Sequence, residues 1–421
     1  MVRLTPVRGI VLLLVAVGGL EGRAADWPGF RGATGQGLAV GEKPPVEWSS
    51  TSGMAWKTPL PGPGASGPVV AMGRVYITCY SGYFVPGMPG GKVADLKRHL
   101  LCLDAVSGKT IWEKSVPAKL PEEEKIRDHG YAASTPLVDD KHVYAFFGKT
   151  GVLAFRHDGS PAWTADVGSG TSGWGSAASP VALGDLIIIN ASVESGSVIA
   201  LDRQTGKEKW RAGGIKESWN TPVVIPDGKG GKQVVVAIAG KVLALDPENG
   251  KTVWSCATDI RWYMVPSLVH ADGLVGCIGG RSGIASLAVK TGGTGDITAS
   301  GRLWTSQKGS NVSSPILHEG HMYWMNDQQG VAYCAKAATG EIAYEERIPG
   351  AGQVYASPVL AGGNIYYLSR GGKAFVVSAT PKFQLAASNS LQDGGGFNGS
   401  PAVSGNRLFI RSDKFLYCLG K

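Results

Sequence analysis

Seven short segments hold the residues of this chain best suited to chemistry: Asp128-His129-Gly130-Tyr131, Ser172-Gly173-Trp174-Gly175, Glu217-Ser218-Trp219-Asn220, Arg261-Trp262-Tyr263, Ser310-Asn311, Gln353-Val354-Tyr355 and Phe397-Asn398. Each stands a few residues before a proline that opens an apolar strand. Aromatic faces offer stacking area, amides offer directional hydrogen bonds and Arg261 adds a cation, so this chemistry is recognition rather than bond making. The expected ligand-contacting set is His129, Tyr131, Trp174, Trp219, Asn220, Arg261, Trp262, Tyr263, Asn311, Tyr355 and Asn398. A blander arrangement uses the same rings as packing that plugs a central space, and the sequence leaves both readings open.

Catalytic templates are missing. There is no GxSxG, HExxH or P-loop, and the seven histidines are dispersed, with His318 and His321 three apart in a turn-like Glu-Gly context. No catalytic residue and no metal ligand is assigned. The cysteines Cys79, Cys102, Cys256, Cys277, Cys334 and Cys418 form no CxxC, which argues for buried thiols rather than metal ligands. Only Cys79 and Cys102 look placed for a disulfide, on the second and third strands of one repeat. The sequons at Asn190, Asn311 and Asn398 are triplets that arise often by chance and decide nothing.

The elements that must position the seven segments form a repeat. A small residue and a proline open an apolar strand at Pro68, Pro136, Pro180, Pro222, Pro266, Pro315, Pro358 and Pro401. After one longer first interval these recur every ~42 to 49 residues, the size of a four-stranded propeller blade. Within a period the third and fourth strands are the most legible. Leu103-Asp104 to Trp112, Leu201-Asp202 to Trp210 and Leu245-Asp246 to Trp254 are one Asp-x-x-x-Gly-Lys-x-x-x-Trp motif written three times, with looser copies ending in Trp163, Trp304 and Tyr344. Asp closes the turn on backbone N–H groups ahead of it, Gly takes a positive φ, and Trp starts packing against a neighbouring blade. The last copy stops after Phe415-Leu416-Tyr417-Cys418-Leu419, while Met54-Ala55-Trp56-Lys57-Thr58-Pro59 supplies the missing fourth strand from the other end. The fold expected is therefore an all-β, eight-bladed β-propeller whose last blade is closed by both ends of the chain.

Those turns resemble the tryptophan-docking repeats of the pyrroloquinoline-quinone (PQQ)-like propeller superfamily, which holds quinoprotein alcohol dehydrogenases and the non-enzymatic BamB-like outer-membrane assembly propellers. The resemblance covers about residues 54 to 421. It implies a fold rather than an activity, because one propeller fold carries many unrelated jobs. The dehydrogenases of the family also carry an adjacent Cys-Cys pair and a longer chain, and neither is present here. Asp128, Glu217, Asp259 and Arg261 can be drawn together on paper as a PQQ and Ca²⁺ site, yet none matches a family motif, so no cofactor is assigned. The function expected is a binding or assembly scaffold for an envelope protein or a small ligand. A PQQ-dependent alcohol or sugar dehydrogenase and a carbohydrate-binding propeller are the alternatives.

The ends and the composition agree with export. Arg3 and Arg8 precede the apolar run Gly9 to Leu20, and Gly22-Arg23-Ala24 supplies small residues for signal cleavage. The run is too short to span a bilayer and no cysteine near it could carry a lipid, so residues 1–24 read as a signal peptide and the product as periplasmic or secreted. Removing them takes away three Arg and one Glu, and the formal charge falls from +8 to +6. No run gathers those charges, which excludes nucleic acid as an expected partner, and a monomer is expected. Residues 25–53 form an N-terminal arm that Trp27 and Phe30 should dock on the propeller of residues 54–421. Tyr80 to His99 reads as an excursion from the first blade, and Ala118 to His129 as a charged link to the second.

Overall fold

The computed structural model describes residues 25–88, 90–281 and 283–420. The expected signal segment lies outside the described residues. Eight antiparallel blades are built in chain order, each from four strands running from the channel outward, with blade 1 made of Val69–Ala71, Arg74–Ser81, Lys97–Asp104 and Thr110–Pro117. Its middle strands are buried on both faces because each blade is sandwiched between two others, whereas its outer strand alternates between exposed and half-buried positions. The eighth blade closes as the repeat predicts: Met54–Pro59 lies antiparallel to Phe415–Leu419, with Trp56 opposite Cys418. Among the described residues the only α-helices are the single turns Ser192–Ser195 and Thr298–Gly301, and no helix is long and apolar enough to cross a membrane.

The docking residues show why the motif needs its types. Each indole donates to a carbonyl in the turn of the next blade, from Trp56 to Ala105 at 3.1 Å, Trp112 to His157 at 2.9 Å, Trp163 to Arg203 at 3.1 Å, Trp210 to Pro247 at 2.7 Å and Trp304 to Ala337 at 2.8 Å. The turn glycine lies against that ring. At Gly250, with φ +72°, a Cβ would stand 2.5 Å from Trp210, so glycine is required for the approach as well as for the dihedral. Trp254 departs from the pattern: it is fully buried and its indole donates to Gln233 Oε1 at 2.9 Å. The third strand of blade 5 ends in Lys290-Thr291-Gly292-Gly293 without the turn aspartate, and Gly295–Asp296 instead pairs in parallel with Trp254 and Ser255.

The hydroxyl residue beside most of these prolines does more than open a strand, with Ser267 following its proline where the others precede theirs. Thr135 Oγ1 accepts from the N–H of Gly67 at 2.8 Å, Ser179 Oγ from Thr135 at 3.0 Å and Thr221 Oγ1 from Ser179 at 2.9 Å. The relay continues through Ser267, Ser314 and Ser357 to Ser400. A belt of hydroxyls thus ties each blade to the next, each bond contributing about 1 kcal/mol. It breaks at Gly67, which has no hydroxyl to offer Ser400. Gly67→Ser should nonetheless lower Tm, because its Cβ would stand 2.9 Å from the Ser400 carbonyl oxygen. A raised Tm on thermal unfolding would contradict this account of the break.

The arm crosses the far end of the channel. Trp27 exchanges both backbone bonds with Val70 of blade 1, Pro28 accepts from Val138 of blade 2 at 2.8 Å, and Leu38–Ala39 pairs in parallel with Leu360 and Ala361 of blade 7. Trp48 then stacks on Tyr366, ring centroids 6.4 Å apart.

The candidate bridge between Cys79 and Cys102 does not form. The register sets Cys79 opposite His99 and Cys102 opposite Tyr76, so the two thiols point to opposite faces of blade 1 and pack in different cores. All six cysteines are free and buried, and burial pushes the Cys79 thiol up to about 11.

Candidate functional site at the channel mouth

The loops joining the outer strand of one blade to the inner strand of the next meet at one end of the channel. His129, Trp174, Trp219, Tyr263, Tyr355 and Asn398 come together there around a cavity of about 110 Å³. Its wall includes belt hydroxyls of Thr221, Ser267, Ser314, Ser357 and Ser400, and Phe30 of the arm also lines it. Adjacent loops brace one another. Trp219 N–H donates to Met264 O at 2.8 Å and Met264 N–H to Glu217 O at 3.0 Å. Asp128, Glu217 and Tyr263 hold φ values of 64°, 53° and 66°, a left-handed conformation that costs non-glycine residues about 1–3 kcal/mol and concentrates at binding loops.

The structure divides the expected residues into three groups. Trp174, Trp262 and Tyr263 form a half-exposed aromatic cluster, with Tyr263 5.0 Å from Trp174 and 5.4 Å from Trp262 between ring centroids. Trp262 stands at the rim of this cluster, and Arg261 beside it is exposed. Tyr355 is half-buried on the opposite side. Trp219 is a packing residue as well as a lining one: it is 8% exposed and its indole donates to Gly175 O at 2.9 Å, tying two loops together. His129 is half-buried, its ring between the carbonyls of Trp174 and Gly130 at 2.7 and 3.0 Å, and desolvation lowers its basicity.

Tyr131, Asn220 and Asn311 lie away from the cavity. Tyr131 packs edge-on against Tyr80 and donates to Glu123 O at 2.7 Å. The Asn220 amide is fully buried and serves the backbone, donating to Ala237 O at 2.7 Å and Met264 O at 3.1 Å. Asn311 donates to Asp327 Oδ2 at 3.0 Å. An amide before a strand suits a ligand and a backbone carbonyl equally well, so sequence cannot separate these uses.

The hairpin loops joining the second and third strands of each blade reach the same end, and they supply residues the sequence reading passed over. Arg281 stacks over Trp174, 4.6 Å from the ring centroid, and lies 5.7 Å from Tyr263. Arg370 stacks over Tyr355 at 4.3 Å, pairs with Asp128 at 3.1 Å and donates to Asn398 Oδ1 at 3.0 Å. A search for cations 12 to 15 residues after each proline would have found both.

The lining of this cavity is poor in carboxylates for a Ca²⁺ held with PQQ. Asp128 is the only carboxylate lining the cavity and is already paired with Arg370, while Asp259 is paired with Arg302. Calcium takes six to eight oxygens, several of them carboxylate. The cavity is also smaller than the ~300 Å³ that begins the usual range for small-molecule pockets.

One serine, histidine and carboxylate do line up elsewhere. Ser81 Oγ lies 2.7 Å from His99 Nε2, and His99 Nδ1 2.8 Å from Glu113 Oε1. Ser81 lines neither the mouth cavity nor the groove beside it, and it is the carboxylate that is exposed while the imidazole is buried. The arrangement satisfies a buried histidine inside blade 1.

A family model described as outer membrane protein assembly factor BamB matches residues 80–221 and 194–420. Among solved structures, BamB from Moraxella catarrhalis superposes with a TM-score of 0.57 at 15% identity, covering 87% of this chain and 99% of that one. Quinohemoprotein alcohol dehydrogenase from Comamonas testosteroni gives 0.66 at 12% identity, over 94% and 81%. The computationally designed Ika8 protein gives 0.60 at 12% identity, over 86% and 98%. At such identities the likeness is one of fold alone. No curated protein matches the chain.

Proposed function

This chain belongs to the family described as outer membrane protein assembly factor BamB, and from that premise we propose that it is an exported, non-enzymatic scaffold whose channel mouth binds a partner protein in the cell envelope. The observation that carries this reading is the half-exposed cluster of Trp174, Trp262 and Tyr263 with Arg281 stacked on it, set on loops held in left-handed conformations. Partly exposed aromatics flanked by arginine are among the residues that dominate protein interfaces, and this mouth presents such a cluster. A dehydrogenase finds less support in the same residues, since the carboxylate a metal would need is engaged by Arg370. Binding through flexible surface chains alone would require none of this loop strain.

A photo-crosslinking residue placed at Trp262 in cells tests the reading. One at Asn406, in the hairpin turn of blade 8 beside the arm, serves as the control. Position 262 is expected to give a discrete envelope-protein adduct and position 406 none. Equal adducts at both positions, or none at 262, would set the proposal aside.

A further inference from the structure

The arm runs round the inside of the far end of the channel, and its course has a gap. In each blade one residue of the inner strand turns its N–H toward the channel, because an antiparallel pair bonds alternate residues and leaves the others facing away. The arm caps that N–H in four blades. Trp27 O takes it from Val70 at 2.9 Å, Pro28 O from Val138 at 2.8 Å, Gln36 Oε1 from His270 at 2.7 Å and Gly37 O from Leu360 at 2.8 Å. Leu317 and Val403 hold the same place in blades 6 and 8 and are buried. Ala182 in the inner strand Val181–Leu183 of blade 3 and Val224 in Val223–Pro226 of blade 4 differ from all of these. Their registers, Ala182 opposite Ile187 and Val224 opposite Val234, face both N–H groups to the channel. Neither amide donates a hydrogen bond among the described residues, and Ala182 is exposed while Val224 is half-buried. Between Pro28 and Gln36 the arm bows away from the blades through two turns, closed by Gly32 N–H to Gly29 O at 3.0 Å and Gly35 N–H to Gly32 O at 3.1 Å. The bow leaves a groove of about 470 Å³ along blades 3 and 4. Phe30, Ala33, Leu137, Val181, Ala182 and Ile225 give it an apolar wall, no carboxylate lines it, and Lys232 and His270 are its only ionisable lining residues.

We propose that this gap docks an uncharged, extended segment of a partner protein, which fills the stretch the arm vacates and caps Ala182 and Val224 with its own backbone carbonyls. This is a second surface, at the other end of the channel, and it does not depend on the reading of the mouth. The arm itself shows the mode of binding. Trp27 and Pro28 are consecutive residues and cap the inner strands of two adjacent blades, so one extended chain meets neighbouring blades in turn. Blades 3 and 4 present the same pair of donors to the same path with no acceptor on it. An unpaired N–H selects a carbonyl, and a sheet edge with open backbone groups is a template for another chain. The wall selects the side chains, since aliphatic carbon without a carboxylate favours apolar groups and offers little to a charged segment.

The test is amide hydrogen exchange of the full mature protein, resolved residue by residue by NMR. The probes are two capped peptides, acetyl-Val-Thr-Val-Thr-Val-amide and its counterpart with Glu in place of each Val. In the free protein the amides of Ala182 and Val224 should exchange faster than those of Val70, Val138 and Leu360. The neutral peptide should slow both, saturably, and the acidic peptide should do so only at higher concentration. Ala182→Pro removes a channel-facing N–H that the ladder does not use, which a proline at a strand edge permits. It should leave Tm unchanged and raise the Kd for the neutral peptide, read at Val224, about fivefold, the loss of one backbone hydrogen bond. The proposal is overturned if Ala182 and Val224 are as protected in the free protein as the capped amides, or if the neutral peptide slows neither. Equal binding of the acidic peptide, or an unchanged Kd in Ala182→Pro, would overturn it as well. Exchange in the parent protein decides the matter whether or not that variant folds.

Discussion

Trp219→Ala is expected to destabilise the protein by about 3–5 kcal/mol, while Trp262→Ala a short distance away costs under ~1 kcal/mol. Trp219 is buried and donates its indole N–H to Gly175 O, so truncation opens a cavity between two blades and leaves a buried carbonyl without its partner. Trp262 is half-exposed and packs on Tyr263 and Trp174 from outside, so its removal takes stacking area from the surface and opens no core. Denaturant midpoints for the two variants measure the contrast directly. The sequence leaves open whether the mouth aromatics plug the channel or bind; the geometry makes Trp219 a packing residue, and the proposal gives the binding role to Trp262. Equal losses would mean that both rings are packing and that the mouth presents no binding surface.

The second large effect depends on pH. Glu194 is buried in the single turn Ser192–Ser195, where it accepts from Ser176 Oγ, and burial pushes its carboxyl up to about 7. An acid whose folded value lies above its unfolded one holds an extra proton when folded. Its contribution to stability is therefore full below about 4.5 and is lost as pH rises through about 7. Glu194→Gln keeps the shape and the acceptor for Ser176 while removing the ionisation. The variant should match the parent near pH 4 and exceed it at pH 8 by up to about 3 kcal/mol, the equivalent of the shift at 1.36 kcal/mol per unit. Burial lowers His129, His142 and His270, which makes the parent lose stability on acidification below about 6.5. The difference between variant and parent, rather than either curve, is the quantity to read. A constant difference across that range would show that the Glu194 carboxyl titrates in the folded protein as it does in the unfolded chain.

Much of the fold is legible because its determinants are local. Asp104 takes the N–H groups of Val106 and Ser107 within its own turn, and Gly108 sits in the same turn at φ 69°, so the motif announces itself wherever it recurs. Closure by Met54–Pro59 is legible for the same reason, since a fourth strand without its first three can only complete a blade that lacks one. The hydroxyl belt is harder to see. Ser and Thr before proline read as small residues, and their bonding role requires knowing that the next blade presents an N–H to them. The Cys79 and Cys102 pairing fails on register, which a one-residue shift reverses and which no composition reveals.

At the site, chain position marks the loops correctly but not the direction of each side chain. Trp219 and Asn220 are neighbours in one loop, yet the first lines the cavity and the second turns inward to Ala237 O. Arg281 and Arg370 come from the other set of loops at the same mouth, 12 to 15 residues after their prolines, where no aromatic or amide pattern drew notice. Phe30 reaches the cavity from the arm across more than two hundred residues of chain separation from Tyr263 and Tyr355.

The central claim is that this mouth binds without catalysing, and the most direct measurement is dye reduction by the purified mature protein titrated with PQQ and Ca²⁺ in the presence of alcohols and sugars. The account predicts no turnover above the rate of free PQQ, because Asp128 stays paired with Arg370 and the cavity gives calcium no second carboxylate. Saturable, substrate-dependent turnover that disappears in Asp128→Asn would contradict it and make the protein a quinoprotein dehydrogenase.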